Sequence, residues 1–497
     1  MNYTKTLGNY FAFGFVALWL WGTIADADES IPQYSIEQFL ETTSFSGFSF
    51  SPDGSKLLIS SDQTGIPNAY ALEIESGELT PLTQSETDPI SAIGFFPKDE
   101  RFLYRSDQGG NELTHIYMQA LDGSVRDLTP GEQLKARFTG WSDDDRYFYI
   151  ATNERNPKFF DLYRYAVSDL SREMIYQNDE GVFPGPVSPD GNWVALNKVH
   201  NRNDSDVYLY NVNEKTSRRL TPHEGEVNFS AQEFTQDGKH LLMVTDDGSE
   251  FLYLIKQSLD SGDVETVYQT DWDVIDASFS KHGKYLTIGV NRDARAEFEL
   301  FETADMQPVQ LPVPEGVSVG SLNFSDDESQ LAFYATSGKM PRDLFYYDLK
   351  GSPRQLTQSL NAEIEPEHLV EGEVVRFTSF DGIEVPGILY KPHQASEDHK
   401  APALVWVHGG PGGQSTVGYR ALIQYLVNHG YVVYAINNRG SSGYGKTFQQ
   451  LDDQKHGQGD LDDCVTSKQM LVDTGFVDPD RICFEVTQSS RSPWPCF

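Results

Sequence analysis

The sequence predicts an all-β propeller of seven blades followed by an α/β domain. Two observations predict the propeller: a unit of about 45 residues recurs seven times, and each unit carries a turn typical of short antiparallel strands. A third observation predicts the α/β domain, because the repeat stops near residue 360 and apolar strands then alternate with helical segments. A chain of 497 residues has room for two or three domains of ordinary size.

The first 27 residues have the pattern of a secretory signal peptide. Lys5 precedes an apolar stretch from Tyr10 to Ile24, and Ala25-Asp26-Ala27 supplies the small residues of a cleavage site. The apolar stretch is shorter than the roughly 20 residues that a membrane span needs. We therefore expect an exported protein, periplasmic or secreted, with no stable membrane association after cleavage. An uncleaved N-terminal anchor is the alternative.

Residues 28–360 form the predicted propeller. Each unit places an aromatic or apolar residue before a Ser-Pro-Asp-Gly-like turn, at Phe50, Phe95, Trp141, Val187, Phe234, Phe279 and Phe324. The successive gaps are 45, 46, 46, 47, 45 and 45 residues. Asp-Gly accepts the positive φ of a tight hairpin, so the chain reverses direction at each turn. Later strand-like runs in several units lead to Leu-Thr pairs, which brings each unit to the four strands of a blade.

We interpret the repeated residues as blade packing and hairpin chemistry. The same interpretation applies to scattered histidines of the propeller, such as His115, His200 and His240. Three arginines in loops between strands have the charge to hold a peptide carboxylate, namely Arg155, Arg202 and Arg292. Residue type alone does not assign them that role.

The segment after the repeat changes in character. Residues 361–373 are rich in glutamate, which predicts a solvated linker, and the α/β pattern covers 374–497. An unbroken apolar run such as 403–407 is typical of a strand buried on both faces of a sheet. The predicted elements are a hairpin of 374–378 and 383–390, strands at 403–407, 431–436 and 482–484, and helices at about 419–428 and 461–474.

A glycine-rich loop follows the strand at 403–407. Its sequence is His408-Gly409-Gly410-Pro411-Gly412-Gly413. Such a loop lets a backbone N–H point at the oxyanion that develops in acyl transfer, because glycine has no Cβ to block the approach. A tight turn is the plain alternative. The loop is not of the phosphate-binding kind, since no Lys followed by Ser or Thr stands at the required spacing.

Charge and cysteine content exclude several functions. The 38 basic and 74 acidic residues leave a net charge of −36, which repels phosphate backbones and anionic headgroups, so we expect no nucleic-acid partner. No set of cysteines and histidines has zinc-ligand spacing, and no cofactor or metal is implied. Three cysteines, Cys464, Cys483 and Cys496, are too few for a disulfide scaffold, and the sequence does not choose which pair would bridge.

The order of these features resembles the prolyl oligopeptidase family of serine peptidases, most of all its acylaminoacyl-peptidase and dipeptidyl-peptidase-like members. The resemblance rests on the repeat, on His408-Gly409-Gly410-Pro411 and on the stretch from Asn438 to Gly445, and extends to about Arg481. It implies that 374–497 belongs to an α/β-hydrolase domain and that the activity is hydrolysis of short peptides. The propeller would exclude large folded substrates. Gly410 would match the position whose N–H lines the oxyanion hole.

The sequence departs from the family pattern after Ile482. Family members continue into a G-x-S-x-G nucleophile elbow and then an aspartate and a histidine, whereas no G-x-S-x-G occurs here after residue 400. The serines of this tail lack the flanking glycines of an elbow, as the sequence shows at Ser489, Ser490 and Ser492.

The two histidines nearest the glycine-rich loop do not replace the missing base. His408 and His429 precede the elbow position, whereas the family's base follows the acid. A serine without a base and an orienting carboxylate is a poor nucleophile. We therefore expect an incomplete hydrolase domain, explained by a frameshift or an incomplete gene model, with a true short variant as the alternative. The chain lacks the Ser/Asp/His triad, and we expect it to be inactive as it stands.

Two other functions stay open. One is a non-catalytic propeller that binds a protein or peptide partner, and the other is a hydrolase that acts on esters. The sequence leaves the cleavage specificity, the endo- or exopeptidase mode and the oligomeric state undecided.

Overall fold

The structure, a computed structural model, describes residues 31–314, 316–410 and 412–486. The described residues from Pro32 onward belong to one compact unit. The predicted signal peptide at 1–27 lies outside the described residues, as do Ser489, Ser490, Ser492 and Cys496.

Seven four-stranded antiparallel sheets follow one another along the chain, which confirms the predicted seven blades. Every blade consists of four consecutive strands. The strands of blades one to four are β1 (Phe45–Phe50), β2 (Lys56–Ser61), β3 (Asn68–Glu73), β4 (Leu79–Pro81), β5 (Ile90–Phe96), β6 (Asp99–Ser106), β7 (His115–Gln119), β8 (Val125–Asp127), β9 (Ala136–Trp141), β10 (Tyr147–Asn156), β11 (Phe159–Ala166), β12 (Arg172–Tyr176), β13 (Phe183–Val187), β14 (Trp193–Asn201), β15 (Asp204–Asn211) and β16 (Thr216–Arg219).

The last three blades repeat this arrangement. Their strands are β17 (Phe229–Phe234), β18 (His240–Thr245), β19 (Tyr253–Ser258), β20 (Val264–Tyr268), β21 (Asp273–Phe279), β22 (Tyr285–Arg292), β23 (Arg295–Glu302), β24 (Gln307–Val309), β25 (Ser318–Phe324), β26 (Leu331–Thr336), β27 (Asp343–Tyr347) and β28 (Arg354–Gln355).

The turn between the first two strands of a blade is held by its own side chains. In blade one the Ser51 hydroxyl donates to Asp53 Oδ1 at 2.7 Å, and the Ser55 N–H donates to the same oxygen at 3.0 Å. These hydrogen bonds lower the pKa of Asp53 to about 2. The hydroxyl–carboxylate contact recurs in four further blades, in the pairs Ser142–Asp144, Ser188–Asp190, Thr235–Asp237 and Ser325–Asp327.

The recurring Leu-Thr pairs also have a structural cause. Thr83 Oγ1 accepts the Ala69 N–H at 2.8 Å and donates to Asn68 Oδ1 at 2.9 Å. Equivalent backbone contacts join Thr129 to Ile116, Thr221 to Val207 and Thr357 to Leu344. A threonine at this point satisfies an N–H of the third strand where the ladder to the fourth strand ends.

Blade seven packs against blade one and closes the ring. Apolar side chains of both blades form one buried cluster, which includes Phe45, Leu57 and Tyr70 from blade one and Ala332, Tyr334 and Leu344 from blade seven. The Tyr334 hydroxyl donates to the Gly47 carbonyl at 3.1 Å, and the Thr43 N–H donates to the Ser359 carbonyl at 3.1 Å. Each sheet contains only its own four strands, so the first and last blades share no strand. The ring is therefore closed by side-chain packing between these two blades.

The α/β part contains a five-stranded sheet in the order β29-β30-β32-β31-β33. β31 lies between β32 and β33 and is parallel to both, while β29 and β30 are antiparallel. The elements are β29 (Glu373–Thr378), β30 (Glu384–Tyr390), β31 (Ala401–Val407), α2 (Ala421–Asn428), β32 (Val432–Ile436), α3 (Lys446–Gln449), α4 (Gly459–Asp473) and β33 (Val477–Val486), and α1 (Ile36–Leu40) precedes the propeller. The predicted hairpin, strands and two helices are confirmed within a few residues.

The predicted linker at 361–373 is not wholly solvated. Ile364 and Leu369 are buried in a cluster with Phe39 of α1, and a single 3-10 turn covers Pro366–His368. The apolar residues between the glutamates therefore attach the segment to the rest of the chain, and a solvated linker is the wrong description of them. None of the helices that the structure describes has the length and apolar character needed to cross a membrane.

Candidate active-site region

Two loops meet at the carboxyl edge of the parallel strands. The loop after β31 begins at His408, and the loop after β32 begins at Asn437. Because β31 and β32 are parallel neighbours, their carboxyl ends lie side by side, which is where α/β sheets carry their binding sites. The Ser442 N–H donates to the Gly413 carbonyl at 3.1 Å and joins the two loops directly.

Gly410 has a conformation that favours glycine. Its φ is +145°, and a Cβ added there would lie 2.8 Å from the Gly413 nitrogen and 3.0 Å from the Gly412 nitrogen. Within the described residues the Gly410 N–H donates no hydrogen bond. These features are compatible with the predicted oxyanion donor, and that role stays a prediction.

His408 is a structural partner of the second loop. Its Nε2 lies 2.8 Å from Ser441 Oγ, and Ser441 is fully buried. His408 Nδ1 lies 3.0 Å from the Gly409 carbonyl, which can only accept, so in the neutral ring Nδ1 carries the proton and Nε2 is an acceptor. The single proton of the Ser441 hydroxyl therefore has two acceptors within reach, Nε2 and the Asn438 carbonyl at 2.6 Å. A nucleophile must also reach the substrate carbonyl, which a fully buried hydroxyl does not. Burial lowers the pKa of His408, which keeps the ring neutral.

Asn437 holds the far end of the glycine-rich loop. Its Oδ1 accepts the Ser415 N–H at 2.6 Å, and its Nδ2 donates to the Ser415 carbonyl at 3.0 Å. The same Nδ2 donates to the Tyr444 hydroxyl at 2.9 Å. Burial raises the pKa of Tyr444 to about 12, so its hydroxyl stays protonated. A fully buried amide therefore ties both loops together.

Arg439 anchors the second loop below the site. Its guanidinium pairs with Asp463 of α4 and with Asp381 of the hairpin turn, at 2.8 Å in both cases. The Arg439 N–H also donates to Asp463 at 2.9 Å, and the Ser379 hydroxyl donates to that carboxylate at 2.6 Å. Hydrogen bonding from Arg439 lowers the pKa of Asp381. Asp463 is fully buried, so this network takes up a charge that would otherwise be costly.

The propeller reaches this region through Arg202. The side chain comes from the turn between β14 and β15, and Nη2 donates to the Gly440 carbonyl at 3.2 Å and the Gln449 carbonyl at 2.6 Å. The guanidinium packs against Gly412, where an added Cβ would collide with it. Arg202 is thus engaged by the α/β part, which was not anticipated from its residue type.

The other two candidate arginines are paired within their own blades. Arg155 forms ion pairs with Asp161 at 2.7 Å and Asp179 at 2.9 Å. Arg292 pairs with Glu297 at 2.7 Å and with Glu299 at 2.9 Å. Neither is free to hold a carboxylate of a ligand in this conformation.

A second propeller contact holds the segment after the loops. Glu250 accepts the Thr447 N–H at 2.7 Å and the Thr447 hydroxyl at 2.8 Å. Lys446 Nζ lies 3.3 Å from Asp246. With Arg202, these contacts place the loops between the second and third strands of blades four and five against the loops at the carboxyl edge of the sheet.

Sequence reasoning missed the roles of several residues. Ser441, Asn437 and Arg439 were noted only within a motif, and their partners lie 22 to 58 residues away in the chain. The sequence carries one signal for these roles: glycine and short polar residues are frequent after a buried strand. Such a composition indicates a loop whose shape depends on hydrogen bonds from side chains.

A propeller seated on the loop edge of an α/β sheet defines a class of two-domain hydrolase-like proteins. The propeller model of the prolyl oligopeptidase family matches residues 83–359, and the model described as "Prolyl oligopeptidase family" matches residues 417–485. The first match alone covers more than half of the chain. The chain therefore belongs to the prolyl oligopeptidase family of serine peptidases.

Relatives and solved structures agree with this assignment. The chain is 26% identical over 450 residues to dipeptidyl aminopeptidase BIII of Pseudoxanthomonas mexicana, covering 87% of this chain and 64% of the relative. It is 19% identical to a prolyl endopeptidase of Elizabethkingia miricola, covering 79% of this chain and 57% of that protein. The structure of a puromycin-hydrolyzing peptidase of Mycobacterium tuberculosis superposes with a TM-score of 0.73 at 16% identity, over 92% of this chain and 76% of that one. The chain thus spans about three fifths of the length of these two relatives.

Proposed function

We propose that the protein is an exported serine peptidase that hydrolyses short peptides, with Gly410 as an oxyanion donor. The observation that carries the proposal is the unused N–H of Gly410 at the carboxyl edge of the sheet, two residues before Gly412, against which Arg202 of the propeller packs. In acyl transfer the carbonyl oxygen gains negative charge, and a donor already in place stabilises that charge without reorganisation.

The surrounding contacts support a preorganised donor. His408 and Ser441 hold the start of the loop, Asn437 holds its end at Ser415, and Arg202 packs on Gly412. A loop fixed at three points keeps its N–H direction during the reaction. By the family resemblance, the propeller would admit short peptides and exclude folded chains.

We further propose that the 497-residue chain does not hydrolyse peptides by itself. In the part of the chain that the structure describes, Ser441 and His408 form the sole hydrogen bond between a serine and a histidine side chain. Ser441 is fully buried, and His408 Nδ1 faces the Gly409 backbone carbonyl rather than an orienting carboxylate. That pair therefore cannot supply the nucleophile and base of the family's chemistry.

Labelling with a fluorophosphonate probe tests the second proposal. The 497-residue chain is expected to stay unlabelled, and stoichiometric labelling of any serine would contradict the proposal. Sequencing the gene beyond the codon for Ile482 in all three frames tests the first proposal. A G-x-S-x-G followed by an aspartate and a histidine supports a peptidase, and their absence would favour the non-catalytic propeller.

The oxyanion role is tested in a protein extended by those residues. Gly410→Ala keeps the backbone N–H but adds a Cβ 2.8 Å from the Gly413 nitrogen, so the loop must shift and the donor is displaced. We expect kcat on blocked dipeptides to fall by about 10²–10³-fold, as when one oxyanion donor is lost. Gly140→Ala is the matched control, because Gly140 of β9 has a similar φ of +152° with open space around it. Equal effects of the two changes would remove the special role of Gly410. Cleavage of aryl esters without cleavage of any dipeptide substrate would replace the peptidase with an esterase.

Export is tested by the N-terminus of the protein recovered from the producing cells. A mature chain that begins after Ala27 in the periplasm or medium supports the proposal. A cell-retained chain that keeps its first 27 residues would contradict it.

A further inference from the structure

A cavity lies between the propeller and the segment that follows the glycine-rich loop, Gln414 to Val417. Its volume is about 300 Å³, and it is bounded by blades six and seven and by the segment from Gln414 to Val417. The wall from blade seven includes Val319, Tyr334 and Ala335, which are buried and apolar. A space of this size, apolar with a few polar groups, has the character of a site for a small ligand or part of a peptide.

An arginine lines this cavity without an acidic partner. Arg342 precedes β27, and its guanidinium lies over the Tyr334 ring, 4.0 Å from the ring centre. Its Nη2 donates to Ser321 Oγ at 3.5 Å, and no carboxylate among the described residues forms an ion pair with it. In a chain with a net charge of −36, a solvent-accessible arginine left unpaired beside a cavity is a site for an anionic group from outside.

Two side-chain amides face each other at the same cavity. Asn291 Nδ2 donates to Gln414 Oε1 at 2.8 Å, which joins blade six to the loop. The other two amide atoms, Asn291 Oδ1 and Gln414 Nε2, are enclosed by protein. The amide pair therefore fixes the loop against blade six at the wall of the cavity, and the charged group that the cavity offers to a ligand is Arg342.

We propose that this cavity is a subsite for a peptide carboxylate, with Arg342 as the carboxylate-binding residue. The inference rests on the proposed peptidase function and adds to it a preference for acidic peptides. A planar guanidinium binds a carboxylate through two parallel hydrogen bonds.

The position of the cavity relates it to the reaction. Gln414 lies four residues after Gly410 on the same loop, and Val417 is bound to the propeller by its N–H at the Ala294 carbonyl, 2.8 Å away. A peptide residue in extended form spans about 3.4 Å, so a chain of two or three residues links neighbouring parts of one loop. The subsite would therefore select which short peptides present a carbonyl to Gly410.

Calorimetric titration of the 497-residue chain tests the proposal. The probes are acetyl-Ala-Ala-Ala as the free acid, its C-terminal amide, and acetyl-Ala-Glu-Ala amide. We expect the free acid to bind about tenfold or more tightly than the amide, because only the acid forms the charge-assisted pair. Binding of the glutamate peptide at the level of the free acid would assign the subsite to acidic side chains, and weak binding would assign it to the chain end. Both results support the carboxylate site.

Variants separate the site from unspecific attraction. Arg342→Gln is expected to abolish the difference between acid and amide, and Arg342→Lys to retain part of it. Arg137→Gln is the matched control, because Arg137 also lies over an aromatic ring, 4.9 Å from the centre of Phe160, but does not line the cavity.

The outcomes distinguish this proposal from the proposed function. No difference between acid and amide, or the same loss in Arg342→Gln and Arg137→Gln, would overturn the subsite while leaving the peptidase proposal intact. The 497-residue chain could instead bind the free-acid peptide selectively while the protein extended beyond Ile482 cleaves no peptide. That result would overturn the peptidase proposal and leave the subsite proposal intact.

Discussion

The hairpin turns of the propeller and the loops of the α/β sheet are both glycine-rich and polar, but they are held in different ways. The turn of blade one is closed by partners two to five residues apart, such as Ser51 with Asp53 and with Lys56. The loop after β32 is held by partners much further away, since Arg439 contacts Asp463 after 24 residues and Gly440 contacts Arg202 after 238. A locally closed turn repeats wherever its short motif repeats, whereas a loop held at long range depends on the whole fold.

Blade six shows the boundary between these two cases. Its turn has His282 at the position that aspartate occupies in most other blades, so the local partner is missing. Glu328 of blade seven takes its place: Oε1 accepts from the Ser280 hydroxyl at 2.5 Å and from the His282 N–H at 2.8 Å. A carboxylate from the next blade thus performs the task of the missing side chain, and the turn keeps its shape.

The largest effect is expected where a buried charge loses its partner. Arg439→Met leaves Asp463 buried without a counter-charge, and we expect it to lower the free energy of unfolding by about 3–5 kcal/mol. Urea denaturation followed by circular dichroism measures the change. Arg481→Met is the control, because the Arg481–Asp478 pair is largely exposed and should cost less than about 1 kcal/mol. Similar losses in both variants would mean that the long-range network has no special weight.

A smaller loss is expected at the substitute carboxylate of blade six. Glu328→Ala removes an acceptor from Ser280 and from two backbone N–H groups, and we expect a loss of about 2–3 kcal/mol. The double variant with Asp at position 282 (His282→Asp) is expected to recover part of it, since aspartate restores the local partner. Absence of any recovery would contradict the substitution of Glu328 for the local aspartate.

The pH dependence of stability sharpens the comparison for a contact between blades. Glu233 accepts the Phe279 N–H of the next blade at 2.6 Å. Its pKa is raised to about 7, mainly by burial and to a smaller extent by the nearby carboxylates of Asp143 and Asp276. Since the folded-state pKa exceeds the usual 4.5, the protonated form stabilises the fold below pH 4.5, and this contribution is lost as the pH rises through 7.

Glu233→Gln removes this titration. We expect the variant to be more stable than the parent at pH 8 by about 2 kcal/mol and nearly equal to it at pH 4.5. Urea titrations at both pH values measure the difference. A parent and a variant with parallel pH profiles would show that Glu233 is not the titrating group.

The smallest effect is expected at a single local turn. Asp190→Ala removes an acceptor from the Ser188 hydroxyl and the Asn192 N–H in blade four, and we expect a loss of about 1 kcal/mol. The turn lies at the surface, so water replaces the lost hydrogen bonds in part. A loss as large as that of Arg439→Met would erase the distinction between local and long-range support.

Much of the fold was predictable because its signals are local. The Asp-Gly turns and Leu-Thr pairs recur at fixed spacing, and each of them makes its hydrogen bonds within its own blade, as Thr83 does with Ala69. The buried strand at Ala401–Val407 and the loop after it were predictable from composition, as was the special backbone at Gly410. The partners of that loop were not, because nothing near His408 in the chain indicates Ser441.

The arginines illustrate the limit most clearly. The propeller has four such arginines. Arg155 and Arg292 lie at the ends of β10 and β22, not in loops as predicted, and pair inside their blades. Arg202 enters the α/β part, and Arg342 lines a cavity. A guanidinium takes the role of whatever acceptor the fold brings within about 3 Å of it, and sequence spacing carries no information on acceptors from other elements.

Short stretches of sequence determine the seven blades, the turn between the first two strands of each blade, and the strand before the glycine-rich loop. Hydrophobic pattern and turn chemistry act over only a few positions, so these features can be predicted from the sequence. The closed ring, the two loops joined at Asn437 and Ser441, and the unpaired Arg342 beside Asn291 and Gln414 exist only in the folded chain. They depend on atoms more than twenty residues apart in sequence, and packing alone brings such atoms within hydrogen-bond distance.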